Sequence, residues 1–184
     1  MKAMRTWAGL LSLAATLTLA GCETDSVKPA APESANLVTT SQDAATKLLS
    51  QLAPADRPTQ PVMVASYVNI DELSESSTLG RTLAEQMASS LTQQGIPVVE
   101  LKLRNALFIQ EGNGEFLLSR ELKDISRSHQ AQMVVVGTYA VARQNVYVST
   151  RLVRVADNRI MASDDYRLPM DGDVRSMAGV KRYY

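Results

Sequence analysis

Residues 131–141 read Ala131-Gln-Met-Val-Val-Val-Gly-Thr-Tyr-Ala-Val141. Nearly every position is apolar or β-branched, and the polar alternation of a half-exposed strand is missing. Such a run marks a central strand buried on both faces. The sequence on either side shows what surrounds it. Downstream, Asn145–Val155 alternates, with Val146, Val148, Thr150 and Leu152 on one side and Tyr147, Ser149, Arg151 and Val153 on the other. Asp157-Asn158 is a tight turn. Arg159–Leu168 returns as an edge strand, on which Asp164 and Asp165 discourage edge-to-edge aggregation. These three runs form an antiparallel meander. After Pro169, Met170–Tyr184 has Gly and Asp breakers and no clear period.

Upstream of the central strand the pattern turns helical. Leu118, Leu122, Ile125 and His129 share one face of an expected helix over Leu118–Gln130, with Ser119 as its cap. Phe108–Phe116 reads as a small hairpin turning at Asn113-Gly114. Ile96–Leu103 is a strand with Pro97 at its first position, where no ladder donor is missed. Thr78–Gln94 is the strongest helix: Leu79, Leu83, Met87 and Leu91 fall four apart, Gly80, Ala84 and Ala88 form a small-residue ridge, and Gly95 supplies a left-handed stop. Asp71–Ser77 reads as a polar loop, and Pro61–Ile70 as one strand. Ser41–Leu52 is an amphipathic helix with Ser41 as N-cap and Asp43 in the first turn, ended by Pro54 and Pro58.

The expected fold is therefore α/β, a single compact domain with a mixed sheet. Its order is an amino-terminal helix followed by β-α-β-α-β-β-β. Two crossover helices linking three strands give a partly parallel sheet with right-handed connections. The helices are expected on one face.

The amino terminus is of another kind. Lys2 and Arg5 precede an apolar run from Trp7 to Leu19 that narrows to Ala20-Gly21 before Cys22. This is a secretory signal, shorter than the roughly 20 residues of a spanning helix. Leu19-Ala20-Gly21-Cys22 is similar to the bacterial lipobox. That resemblance implies cleavage before Cys22, diacylglycerol on its sulfur and a further acyl chain on the new amine. Several chains at about 0.8 kcal/mol per buried methylene make a stable anchor. Residues 23–40 are rich in Glu, Thr, Asp, Ser, Lys, Pro and Ala, too polar to offset their ordering entropy. They read as a flexible tether with an r.m.s. reach of roughly 20–25 Å. The expected organisation is a signal over 1–21, lipidated cysteine and tether over 22–40, the α/β domain over 41–169 and a tail over 170–184.

Composition narrows the function classes. Lys+Arg and Asp+Glu both number 19 in the 184 residues. Losing Lys2 and Arg5 with the signal leaves 17 against 19, a formal balance of about −2, so no basic excess draws the chain to nucleic acid. Cys22 is the single cysteine, and its acylation leaves neither disulfide nor thiolate chemistry. His129, the one histidine, has no local nucleophile or orienting partner, and reads as a helix C-terminal residue favoured by the dipole. No His/Cys cluster has metal spacing. Glu111-Gly-Asn-Gly-Glu115 reads as an acidic turn rather than a calcium loop, because its ligands do not alternate. Asp164 and Asp165 point to opposite faces and do not share a site. Arg143, Arg151, Arg154, Arg159 and Arg167 cluster in the meander. They read as cross-strand partners of nearby aspartates or as a cationic face for an acidic partner. Neither a cofactor nor a small-molecule substrate is expected.

From Val64 to Pro169 the chain resembles the FlgO domain of bacterial flagellar outer-membrane lipoproteins. The resemblance rests on Tyr67-Val68-Asn69-Ile70-Asp71, Ser77-Thr78-Leu79-Gly80-Arg81, Glu100-Leu101-Lys102-Leu103-Arg104, Gly114-Glu115-Phe116-Leu117-Leu118-Ser119-Arg120, Val136-Gly137-Thr138-Tyr139 and Val148-Ser149-Thr150-Arg151-Leu152-Val153. It implies a non-enzymatic lipoprotein held in the outer membrane through Cys22. It also implies a role in motility beside flagellar accessory ring proteins, with self-association open, and a fold akin to the amino-terminal domain of TolB and to CsgG. Glu23 and Thr24 lack the aspartate that resembles an inner-membrane retention signal. Lipoprotein activators of peptidoglycan synthases share this build and stand as the alternative, although the tether is short for threading the wall. A CsgG-like pore is disfavoured, because no loop is long enough to supply spanning strands.

Overall fold

The computed structural model describes residues 34–101, 108–111, 115–118 and 120–180. The chain divides into two units, Met1–Ala31 and Pro32–Tyr184. The described residues all belong to the second, an α/β domain. Cys22 and residues 23–33 of the expected tether lie outside them.

Helix α1 spans Leu37–Ser50, capped by Asn36, whose side chain accepts from the Thr39 N–H. The expected cap, Ser41, is instead buried inside the helix and donates to Gln86 on the next helix, 3.1 Å away. The expected start was late because Val38, Thr39 and Thr40 are weak helix formers. Leu37, Ser41, Ala44, Ala45, Leu48 and Leu49 nevertheless make one buried stripe, and packing of such a stripe outweighs propensity.

Strand β1 (Val62–Ala65) is fully buried. The expected single strand then breaks at Ser66-Tyr67 and resumes as β2 (Val68–Asn69). The break occurs because the Tyr67 N–H leaves the ladder and donates to the Gly80 carbonyl at 3.1 Å. Residues 72–76, expected as loop, form strand β3 (Glu72–Ser76), antiparallel to β2. Its polar composition hid it, although Leu73 packs against the core. Helix α2 spans Thr78–Gln93 and is capped by Ser77. Gly95, at φ 80°, ends it as expected, with the Ile96 N–H bonded to the Leu91 carbonyl.

Strand β4 (Val98–Leu101) follows, then the hairpin β5 (Phe108–Glu111) and β6 (Glu115–Leu118), paired antiparallel. The expected turn residues Asn113-Gly114 lie outside the described residues. Leu118 belongs to β6, and helix α3 begins at Arg120 and runs to Ser128. Gln130 takes the left-handed position at φ 54° where glycine is usual. The meander is β7 (Met133–Val141), β8 (Asn145–Arg154) and β9 (Arg159–Pro169). Asn158, at φ 59°, makes the expected turn. The tail read as aperiodic contains a short helix, α4 (Gly172–Met177), whose period is too brief to register in sequence.

Strand β7 lies at the centre of a seven-stranded mixed sheet. It is parallel to β1 over its first half and to β2 over its second, and antiparallel to β8. β4 flanks β1 in parallel, and β9 closes the far edge. Helices cover both faces, not one. One core joins α1, α2 and α4 to Val62, Val64, Met133, Val135 and Leu152. A second packs Ile125 of α3 against Met63, Ala65, Val134 and Val136. Right-handed crossovers require this: the step from β1 to β4 and the step from β4 back past β1 to β7 run in opposite directions, so their helices fall on opposite faces.

Candidate functional site

Tyr67 fixes the end of the sheet where β1, β2 and α2 meet. Its ring lies against Gly137 so closely that a Cβ there would overlap it, and its carbonyl lies where a Cβ at Gly80 would fall. Its hydroxyl accepts from Thr150 at 3.0 Å. Complete burial, first of all, pushes the phenol well above its ordinary range. Nearby, Tyr139 donates to Ser77 Oγ at 2.7 Å, and Ser77 Oγ accepts the Gly80 N–H at 2.9 Å. A polar crevice of about 360 Å³ opens beside them, lined in part by Arg81 and Glu72. Ser77 caps α2 there, and its hydroxyl is engaged by both the Gly80 N–H and the Tyr139 hydroxyl.

Among the described residues no three His, Cys, Asp or Glu side chains gather to hold a metal. His129 is exposed at the end of α3. Asp164 is 12% exposed and pairs with Lys47 at 3.2 Å, while Asp165 is exposed and alternates to the other face. Glu111 lies opposite Glu115 across the hairpin, and the three residues between them lie outside the described residues.

What the domain does offer is the outer face of the meander. Val146, Val148 and Leu152 share the core with α1 and α2, so Tyr147, Ser149 and Arg151 face away. The register sets Tyr147 opposite Arg167, Ser149 opposite Asp165 and Arg151 opposite Ser163. Tyr147 is 54% exposed and Ile160 52%. A shallow groove of about 470 Å³ runs between Tyr147, Ser149, Asp165 and Arg167.

The structure does not bring the five meander arginines together. Arg143 is exposed in the β7–β8 turn. Arg154 and Arg159 face each other at the opposite end, about 30 Å away at 3.3 Å per strand residue. Arg154 holds Asp157 through two bonds of 3.0 and 2.8 Å within the turn. That contact first, helped by the Arg159 N–H, draws the Asp157 carboxyl down to about 2. For Arg154 the pairing with aspartate is a local turn contact and not a cross-strand one, and of the five arginines Arg151 and Arg167 lie on the open face beside Tyr147. The signal for Tyr147 was in the sequence: it sits on the polar side of an alternating strand, where a large aromatic has no core to enter.

The edges of the domain are held by polar side chains. Gln51 at the end of α1 donates to the Ser163 carbonyl at 2.8 Å and accepts the Ser163 N–H at 3.2 Å, occupying part of the free edge of β9. Asp171 accepts from Val174 N at 2.8 Å, capping α4, and from Ala35 N at 2.9 Å, before α1. Burial raises its carboxyl, but these N–H groups outweigh burial and leave it below its ordinary value.

Among the described residues no helix is long and apolar enough to cross a membrane. The search for curated relatives returned no match. Among solved structures, the domain is similar to LpoB of Escherichia coli in solution: 18% identity, 90% of this chain and 84% of that one, TM-score 0.50. The LpoB carboxy-terminal domain from Salmonella enterica matches at 17% identity, 70% and 97% coverage and TM-score 0.48. PelC from Paraburkholderia phytofirmans, a dodecamer, matches at 17% identity, 65% and 81% coverage and TM-score 0.45. At these identities the likeness is one of fold. The family model described as FlgO protein matches residues 42–173, most of the chain and all of the sheet, and the chain therefore belongs to the FlgO family.

Proposed function

We propose that the protein is a non-enzymatic outer-membrane lipoprotein of the flagellar apparatus, with a structural or assembly role near the basal body. The observation that carries this reading is membership of the FlgO family across residues 42–173. The Leu19–Cys22 motif supports a lipid anchor at Cys22. In this reading the lipid fixes the protein to the membrane, the tether sets its stand-off and the α/β domain presents docking surfaces to accessory ring proteins.

Purified basal bodies with their outer-membrane rings, probed beside bulk outer membrane, test the reading. Enrichment with the basal body is expected, together with lost motility in a Cys22→Ala strain that still accumulates the protein. Even distribution with normal swimming in a deletion strain removes the flagellar role. The alternative, a regulator that activates a peptidoglycan synthase, rests on the same build of lipid, tether and small α/β domain. It predicts faster glycan polymerisation when the purified protein is added.

A further inference from the structure

The free edge of β9 is complementary to itself, and we infer that two copies of this chain pair along it, antiparallel, about a twofold axis at Tyr166. β9 has one neighbour in the sheet, β8. In an antiparallel strand the backbone groups of successive residues turn alternately toward that neighbour and toward the open edge. Gln51 reaches over from α1 and bonds both the N–H and the carbonyl of Ser163, so Ser163 belongs to the outward set. Met170, of the other parity, donates inward to the Gln144 carbonyl at 2.8 Å. The register runs without a shift from Ala162 to Pro169, so Asp165 and Arg167 also turn their N–H and carbonyl groups outward. Both residues are exposed. Gln51 closes this edge at Ser163, and Pro169, which has no N–H to offer, closes it at the other end. Between them lies a short open ladder, the kind of edge to which another strand adds.

Charge selects both the occupant and the register. The Asp165 and Arg167 side chains share the outer face of the meander, opposite Ser149 and Tyr147. Among the described residues neither belongs to an ion pair. In a pairing centred on Tyr166, Asp165 of one copy lies opposite Arg167 of the second copy, and Arg167 lies opposite Asp165. Both are outward residues, so each pair is of the hydrogen-bonded kind and exchanges both N–H···O bonds. Opposite charges placed directly across a strand pair add to its stability. Centring on Asp165 or on Arg167 instead sets that residue opposite itself, and like charges so placed weaken the pairing. Centring on Asp164 calls on Ser163, which Gln51 already holds. Centring on Leu168 calls on the missing N–H of Pro169. The aspartate expected to discourage edge pairing therefore discourages neighbouring registers and favours this one.

The same patch serves both copies, so the contact is isologous and closes at two. It joins the two sheets edge to edge and continues the groove beside Tyr147, Asp165 and Arg167 across the axis.

Sedimentation of the full-length chain in detergent, with its edge charges varied, tests this. The parent chain is expected to reach a dimer as its concentration rises. Asp165→Arg sets arginine opposite arginine, and Arg167→Asp sets aspartate opposite aspartate. Each alone should weaken the dimer about tenfold or more. Asp165→Arg combined with Arg167→Asp in one chain should recover most of it, and the two single variants, once mixed, should form a mixed dimer more readily than either pairs with itself. All of these change exposed side chains, and a parental urea midpoint shows that each variant is folded. Hydrogen exchange locates the contact: the Asp165 and Arg167 amides should be protected in the dimer and exchange faster on dilution, while the inward amides of Asp164 and Tyr166 stay unchanged. A chain that is monomeric throughout the concentration range overturns the inference. So does a double exchange that restores nothing in a folded chain, or a dimer in which the Asp165 and Arg167 amides exchange freely. The outcome does not depend on whether the protein sits at the basal body.

Discussion

The hydroxyl of Thr150 on β8 donates to the hydroxyl of Tyr67 across 3.0 Å of the buried core. Thr150 is paired with Gly137 on the neighbouring strand, and it is over Gly137 that the Tyr67 ring passes. One side chain thus crosses β7 and ties the break between β1 and β2 to the meander. The same residue's backbone bonds to α2 through the Gly80 carbonyl.

Adding a methyl group at either glycine tests this packing. Gly137→Ala overlaps the Tyr67 ring, and Gly80→Ala overlaps the Tyr67 carbonyl, which no rotamer change relieves. Each should destabilise the domain by about 2–3 kcal/mol, read as a lower urea midpoint with unchanged slope. An unaltered midpoint for both would show that the ring does not lie on Gly137.

The hydroxyl pair gives a separate prediction. Tyr67→Phe removes the acceptor of the Thr150 hydroxyl and should cost about 1–2 kcal/mol. Thr150→Val in the Tyr67→Phe background should cost less than Thr150→Val alone. A double-mutant cycle measures the difference, and strictly additive losses would mean the bond contributes nothing.

Asp171 predicts a pH dependence. Its carboxyl lies below the ordinary 3.8 in the folded chain, where burial is outweighed by the N–H groups of Val174, Ala35 and Asp173. A depressed carboxyl stabilises the fold above its unfolded pKa and loses that contribution as pH falls through the lower folded value. Between neutrality and pH 5 the contribution is constant; below about pH 4 it fades. Asp171→Asn should flatten that part of the acid unfolding curve, and Asp171→Ala should cost about 1 kcal/mol at neutral pH through the lost cap. A wild-type acid curve in Asp171→Asn would rule the carboxylate out.

Gln51 predicts a local effect. Gln51→Ala removes both bonds to the Ser163 backbone and leaves that part of the β9 edge to solvent. Stability should fall by about 1 kcal/mol or less, while hydrogen exchange at the Ser163 amide accelerates more than at the inward-bonded amides of β9. Equal protection in both proteins would place the guard elsewhere.

Local pattern carried much of this fold. The unbroken apolar run of β7, the strict alternation of β8, the fourfold spacing in α2 and Gly95 at its end are each dictated within a few residues, and each stands in the structure where it reads. Elements whose signal lies in distant contacts were misread. β3 is polar and exists because β2 pairs with it. α1 starts at Leu37 because Leu37 has a core to enter. α4 is held by Asp171, which also holds Ala35, 136 residues away in sequence.

The arginines show the same division. Their presence in the meander is a property of the sequence; their distribution over two ends and one face of the sheet is not. Strand register and the turn bond between Arg154 and Asp157 decide which of them face solvent together. Charge, period and the Cys22 motif are one-dimensional properties, so the sequence determined an α/β domain and supplied the motif on which the proposed lipid site rests. Which faces the helices cover, where β1 breaks for Tyr67 and which side of the meander stays open depend on pairings between residues tens of positions apart. Only the tertiary structure decided them.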